Sequence, residues 1–283
     1  MDRRRLERLT GAAAEQVTAL GTGHAWSLWR VRLADGRQVF VKAADDRPGL
    51  FAAEATGLRW LAEGAGHAAP VPEVIAVDDH MLVLPWLPAE PPSPQAAERF
   101  GRELAALHAG GADSFGAPWQ GFIARLPLDN TPADRWPRWY AERRIAPYLR
   151  LAARHLDRAE VGLVERVMAE IETLAGPEEP PARIHGDLWS GNVLWSGGRA
   201  WLIDPAAHGG HRETDLAMLA LFGAPYLDRI LDAYREVHPL AEGWRARVPL
   251  HQLHPLLVHV ALFGPSYRGA AVEAARAALR ASR

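Results

Sequence analysis

The feature that most constrains this 283-residue chain is the run Arg183-Ile184-His185-Gly186-Asp187-Leu188-Trp189-Ser190-Gly191-Asn192-Val193-Leu194-Trp195, followed by Ala200-Trp201-Leu202-Ile203-Asp204. It reads as a short strand, a polar loop, a second strand, a tight Ser196-Gly197-Gly198-Arg199 turn and a third strand ending on a carboxylate. Asp187 and Asn192 stand five residues apart, and Asp204 follows twelve later. A lone Asp-x4-Asn is usually a turn whose side chains bond nearby backbone. Here His185 precedes Asp187 by two, and the hairpin delivers Asp204 to the same end of the sheet. That is the spacing phosphoryl transfer needs: one Asp to accept a hydroxyl proton, and an Asn with a further Asp to hold magnesium.

A chain of this length can bury a sizeable core in one large or two modest domains. Charged residues are 23% of it and the net charge is -2, so no basic footprint argues for nucleic acid or an anionic membrane surface. There is no cysteine, which excludes disulfides, thiol catalysis and Cys-based zinc sites and fits a reducing compartment. Met1 to Leu9 is basic but leads into Thr10-Gly11-Ala12, not the apolar core of a secretory signal. The longest apolar stretches, such as Met81 to Leu87, are too short to span a bilayer. A cytoplasmic protein is expected, with no nucleic-acid or membrane partner and a monomer the favoured state.

Upstream, the alternation predicts strands over Gln16 to Leu20, Ala25 to Val31 and Gln38 to Lys42, the last two joined by an Asp35-Gly36 turn. Gly21 and Gly23, in Leu20-Gly21-Thr22-Gly23-His24-Ala25, fall at a hairpin tip where backbone can approach a phosphate. Lys42 lies late in the third strand, placed to contact nucleotide phosphates, and Glu54, in the expected helix Leu50 to Leu61, is placed to hold it. Two further strands are expected over Val71 to Ala76 and Met81 to Leu87, completing a five-stranded sheet. The prolines from Pro88 to Pro94 break regular structure. This divides the chain into a nucleotide-binding lobe, 1–87, a hinge, 88–94, and a helical lobe with catalytic loop and substrate site, 95–283. Adenine is expected on the backbone of Pro85, Trp86 and Leu87. Pro85 has a carbonyl but no N–H, so the donor falls to Leu87.

Beyond the hinge, Ala96 to His108 has helical periodicity, with His108 a packing or capping residue. Residues 110–132 read as loop, and Trp136, Trp139 and Tyr140 as packing on a helix. Helices are expected from about 160 to 175 and from Asp215 to the end. His251, His254 and His259 fall close together, but Pro255 is expected to interrupt their helix, and no carboxylate has a ligand-like spacing. A zinc site is not expected.

His185-Gly186-Asp187-Leu188-Trp189-Ser190-Gly191-Asn192, Asp204-Pro205-Ala206 and Gly210-His211-Arg212-Glu213-Thr214-Asp215-Leu216-Ala217-Met218 together resemble the fructosamine kinase (ketosamine-3-kinase) family. That family lies in the aminoglycoside-phosphotransferase-like branch of the protein-kinase fold. Phe51-x2-Glu54-x2-Gly57-Leu58, the Leu104 to His108 ending, Arg135 to Arg144 and Leu253 to Gly264 extend the resemblance over nearly the whole chain. It implies an α+β, bilobal fold with an antiparallel five-stranded sheet plus helix in the N-lobe and a mostly helical C-lobe. ATP and Mg2+ are the implied cofactors. The implied reaction phosphorylates the third-carbon hydroxyl of a fructosamine, ribulosamine or erythrulosamine, free or on a protein lysine, as a deglycation repair.

In this scheme Asp187 is the base, and Asn192 and Asp204 are the magnesium ligands. The resemblance implies that Trp189 contacts the sugar adduct or its amine. His211, Arg212 and Glu213, with Asp215, form a dense polar cluster that either lines the acceptor pocket or braces the catalytic loop. His259 is either an acceptor-site residue or a satisfied core histidine. Family members usually carry an acidic residue where Pro85 stands, and often a cysteine in the glycine-rich loop, near His24 here. Two rival readings remain at this point: a related kinase of an aminoglycoside or amino-alcohol, and a non-catalytic nucleotide-binding regulator.

Overall fold

The computed structural model describes residues 1–23, 26–45, 48–65 and 69–281. Helix α1 (Arg3–Thr10) is capped by the Asp2 carboxylate, which accepts the Arg5 N–H, and ends on left-handed Gly11. There follow β1 (Ala14–Gly23), β2 (Trp26–Leu33), β3 (Gln38–Ala43), α2 (Leu50–Ala65), β4 (Ala76–Asp78) and β5 (Met81–Pro85). The five strands form one antiparallel sheet in the order β1-β2-β3-β5-β4. Strand periodicity decides what faces what. Val39, Val41 and Ala43 pack with Leu6 of α1, while Phe40 and Lys42 point to the opposite face, toward α2.

The strand expected over Val71 to Ala76 is instead the short β4. Pro70 and Pro72 have no N–H to give to a ladder, and the Pro70 carbonyl accepts the Leu202 N–H at 2.6 Å. The segment therefore docks on the later hairpin. After β5 the chain crosses to the helical half. The Glu90 N–H donates to Trp195 O at 2.8 Å, and Glu90 Oε2 accepts the Gly198 N–H at 3.3 Å.

Helix α3 (Pro94–Ala109) starts on Ser93, whose hydroxyl accepts the Ala96 N–H, with Pro94 at its first position. The stretch read as loop holds a small hairpin, β6 (Gly121–Ile123) and β7 (Leu126–Leu128). Helix α4 (Trp136–Tyr140) runs through a π turn at Ala141–Ile145 into α5 (Ala146–Ala152). The π turn carries Arg144 inward to Asn130 Oδ1 at 2.7 Å, at the base of the β6–β7 hairpin.

Helices α6 (Arg158–Ala169) and α7 (Ile171–Leu174) precede β8 (Ala182–Ile184), β9 (Val193–Ser196), β10 (Arg199–Leu202) and β11 (His208–Gly210). Helices α8 (Glu213–Leu221), α9 (Leu227–Val237), α10 (Trp244–Phe263) and α11 (Arg268–Arg280) complete the chain. Pro255 does not interrupt α10, contrary to the expectation. Its missing N–H frees the His251 carbonyl, and the buried Tyr140 hydroxyl donates to that carbonyl at 3.1 Å. Among the described residues, no helix is long and apolar enough to cross a membrane.

Candidate active site

Strand β8 leads directly into the loop that carries Asp187. Gly186 has φ +79, and a Cβ there would sit 2.4 Å from Ala206 O and 3.0 Å from His208 Cε1, so only glycine fits. Two backbone amides of the loop point at one carboxylate. Asp215 on α8 accepts the His185 N–H at 2.7 Å and the Gly186 N–H at 2.9 Å. Behind it, His108 Nε2 approaches Asp215 at 3.2 Å and His108 Nδ1 meets the Tyr234 hydroxyl at 2.8 Å.

His185 is a scaffold. Its Nε2–H donates to Ile203 O at 2.9 Å, and Nδ1 accepts the Asp187 N–H at 3.3 Å. Burial lowers its pKa and keeps it neutral.

Asn192 donates its amide to Asp187 O at 2.8 Å and to Asp187 Oδ2 at 3.2 Å, which leaves Oδ1 as an acceptor. The β9–β10 hairpin carries Asp204 back to the same place, where the Ile203 N–H donates to Asn192 O at 3.0 Å. Asp204 itself adopts a left-handed backbone, φ 57, an uncommon conformation that Asp tolerates better than most residues. Its carboxylate meets Lys42 Nζ, which also donates to Glu54 Oε1 at 2.7 Å.

Burial alone would lower the Lys42 pKa, but the Asp204 and Glu54 carboxylates outweigh it, and the lysine stays cationic. On Glu54 burial wins over the lysine and raises the carboxyl. Asp187 is pushed up to about 7, first by burial and then by the neighbouring Asp204 charge, against the pull of the Asn192 amide.

All five groups line one cavity of about 530 Å³ between the sheet and the helical half. Gly23, Leu84, Pro85, Trp86 and Leu87 line it from the sheet side, and Trp189 stands at the loop side. Phe122 and Ile123 of the β6–β7 hairpin also line it. Sequence reasoning missed that wall, and the apolar pairs Phe122-Ile123 and Leu126-Leu128 flanking a two-residue tip were its signal. Gly21 is not among the lining residues; it sits at a bulge of β1 with φ +119. His24 lies outside the described residues. Trp86 spends its N–H on Gln38 O at 2.9 Å.

The family model that matches this chain, fructosamine kinase, covers residues 3–281. The chain belongs to the fructosamine kinase family. A Thermus thermophilus protein named probable ketoamine kinase is 38% identical over 271 residues, covering 95% of this chain and 97% of its own. An Escherichia coli K12 protein of the same name is 35% identical over 267 residues, 91% of each chain. The crystal structure of a candidate fructosamine-3-kinase from Thermobifida fusca is 60% identical, with a TM-score of 0.95 and 98% of both chains covered. An aminoglycoside phosphotransferase mutant, solved with AMP-PNP and hygromycin B, shares the fold at 16% identity, TM-score 0.66, covering 99% of this chain and 97% of its own. This fructosamine kinase family member is thus an ATP-dependent phosphotransferase, and its fold is the bilobal, protein-kinase-like α+β fold that the family resemblance implied.

The kinase keeps His211, Arg212 and Glu213 buried and outside the cavity lining. Arg212 grips Glu179 with two hydrogen bonds, at 2.6 and 2.8 Å. Arg247 grips Glu213 in the same way, at 2.9 and 2.6 Å. Burial would raise the Glu213 carboxyl, but His251 and Arg247 outweigh it and hold it down at about 2. His211, Glu213 and His251 offer ligand atoms within 4.8 Å of one another. Arg247 already occupies both carboxylate oxygens there. His259 is half-buried and also outside the lining, its Nδ1–H donating to Pro255 O at 2.7 Å.

Proposed function

We propose that this kinase transfers the γ-phosphate of MgATP to a sugar hydroxyl of a ketoamine, a ribulosamine, erythrulosamine or fructosamine, free or on a protein lysine, as a cytoplasmic deglycation activity. One observation carries the reading: Asp187, Asn192, Asp204 and the Lys42–Glu54 pair share a single cavity with Trp189 at its loop side. The N-terminal sheet to residue 87 would hold the nucleotide, 88–94 would act as the hinge, and the rest would supply the catalytic loop and acceptor site. Pro85 O and the Leu87 N–H would take the adenine edge beside Trp86, and Gly21 and Gly23 would let the β1–β2 tip approach the phosphates.

Lys42, braced by Glu54, would release Asp204 and bind phosphate oxygens. Asn192 Oδ1 and Asp204 would hold Mg2+. Carboxylate and carboxamide oxygens are the hard donors this ion takes, and it supplies charge neutralisation at the phosphates. Asp187 orients the attacking hydroxyl in line and takes its proton, and a carboxyl poised near neutrality suits that task. Trp189 would cover the adduct's amine by cation–π attraction, with His259 behind it. His211, Arg212 and Glu213 would brace the fold behind the loop.

The test is ADP release with MgATP against ribulose-lysine, fructose-lysine and an aminoglycoside. Ketoamine turnover that vanishes in Asp187→Asn is expected. Turnover on the aminoglycoside alone, or ketoamine turnover that survives Asp187→Asn, would overturn the proposal.

A further inference from the structure

Trp189 is exposed by 38%, yet its position is fixed. A Cβ on Gly191 would sit 2.2 Å from the indole Cη2, so the ring lies flat on the loop backbone between Asp187 and Asn192. From its outer side a row of rings leaves the cavity. Phe222, just past α8 and also 38% exposed, meets the indole edge-on at 6.1 Å. Behind Phe222 lie His259 at 5.1 Å and Tyr267 at 6.3 Å, themselves 4.8 Å apart. Single exposed aromatics are ordinary on a protein surface. A contiguous row that begins at the catalytic loop is not, and such patches mark binding sites.

We propose that Phe222 and Tyr267, continuing from Trp189, form a subsite for the side of the acceptor beyond its amine, and that its occupant is a secondary ammonium bearing an extended apolar stem. The proposal rests on the ketoamine reading above. In a ketoamine the nitrogen lies three bonds from the third carbon, about 4 Å. With the reacting hydroxyl at Asp187, that nitrogen would meet the Trp189 indole, which lines the same cavity and whose face attracts cations. Whatever the amine carries must then leave past the indole. A four-carbon stem such as that of lysine spans about 6 Å, which matches the 6.1 Å step from Trp189 to Phe222. Its methylenes would cover the Phe222 face, as long cationic side chains cover apolar surface elsewhere. A methylamine adduct would stop at Trp189 and gain nothing from the second ring.

The experiment compares kcat/KM for the ribulose adduct of Nα-acetyl-lysine with that of methylamine, in wild type, Phe222→Ala and Tyr267→Ala. The wild type is expected to prefer the lysine adduct. In Phe222→Ala that preference should shrink by about tenfold, the methylamine adduct losing far less, and Tyr267→Ala should show a weaker version of the same pattern. Equal losses on both adducts, or an unchanged preference, overturn the subsite while leaving the ketoamine reading standing. Turnover of neither adduct by the wild type overturns that reading and the subsite with it.

Discussion

Of two charge-rich clusters, one lines the cavity and one lies outside its lining, and they treat the same residue types in opposite ways. Around the cavity, Asp187 and Glu54 are carboxyls raised by burial. Asp204 sits on a left-handed backbone and shares Lys42 with Glu54. Behind the loop, Glu213 is gripped by Arg247 and held down at about 2, Arg212 is gripped by Glu179, and Asp215 is filled by two backbone amides and His108. The first cluster faces the cavity and keeps its carboxyls raised; the second lies outside the cavity lining, each charge paired within the protein. Under the proposed function, the difference separates groups that would react from groups that would hold them still.

The comparison can be broken most directly at its two ends. Asp187→Asn should lower kcat by about 10³-fold or more, while thermal unfolding shows no loss of stability, because an unfavourably buried carboxyl has been removed. A destabilised, still active variant would contradict the division. Glu213→Gln should do the reverse. It strands the Arg247 guanidinium and should cost on the order of 3–5 kcal/mol in a urea titration, with the remaining folded protein keeping most of its turnover.

The pH dependence of stability sharpens the contrast, because the two carboxyls have opposite signs. Glu213 is depressed from 4.5 to about 2, so its contribution is present above about 4.5 and is lost as pH falls toward 2. That loss is on the order of 3 kcal/mol. Asp187 is raised from 3.8 to about 7, so the folded state binds its proton more tightly and its unfavourable contribution is relieved as pH falls from 7. Burial lowers His208 and His254 well below 6.5, which adds an acid loss common to all variants. Difference curves against Glu213→Gln and Asp187→Asn should therefore slope in opposite directions.

A smaller effect belongs to the brace itself. Asp215→Asn keeps one acceptor but turns an amide toward the loop N–H groups. It should cost about 1–3 kcal/mol and lower kcat with KM nearly fixed, as expected of a residue acting through Asp187. Smallest of all, Arg166→Ala removes an exposed helix pair to Glu170 and should change stability by about 0.3–0.5 kcal/mol.

The polar groups of the cavity were legible in sequence because local geometry holds them. One loop and one hairpin carry Asp187, Asn192 and Asp204, and strand alternation alone turns Lys42 toward α2. The brace was legible only as a composition. Which backbone Asp215 serves depends on a contact 29 and 30 residues away, and His211 finds His251 across 40 positions of chain. Other features escaped for local reasons. The β6 and β7 strands have three residues each, too few for a period to show. Pro70 and Pro72 displaced a strand that apolar content suggested. Pro255 looked like a break because the hydroxyl that relieves it belongs to Tyr140, on a distant helix.

The tie between Glu90 and the β9–β10 hairpin has a mechanical consequence. Its N–H grips Trp195 O and its carboxylate grips the Gly198 N–H, so the crossover chain is riveted to the hairpin whose far ends carry Asn192 and Asp204. Within the proposed hinge, 88–94, the backbone at Glu90 is thus held to the hairpin, so a swing of the sheet against the helices would pivot ahead of it. The lever that such a swing would pull is the pair of strands that ends beside Asn192 and Asp204.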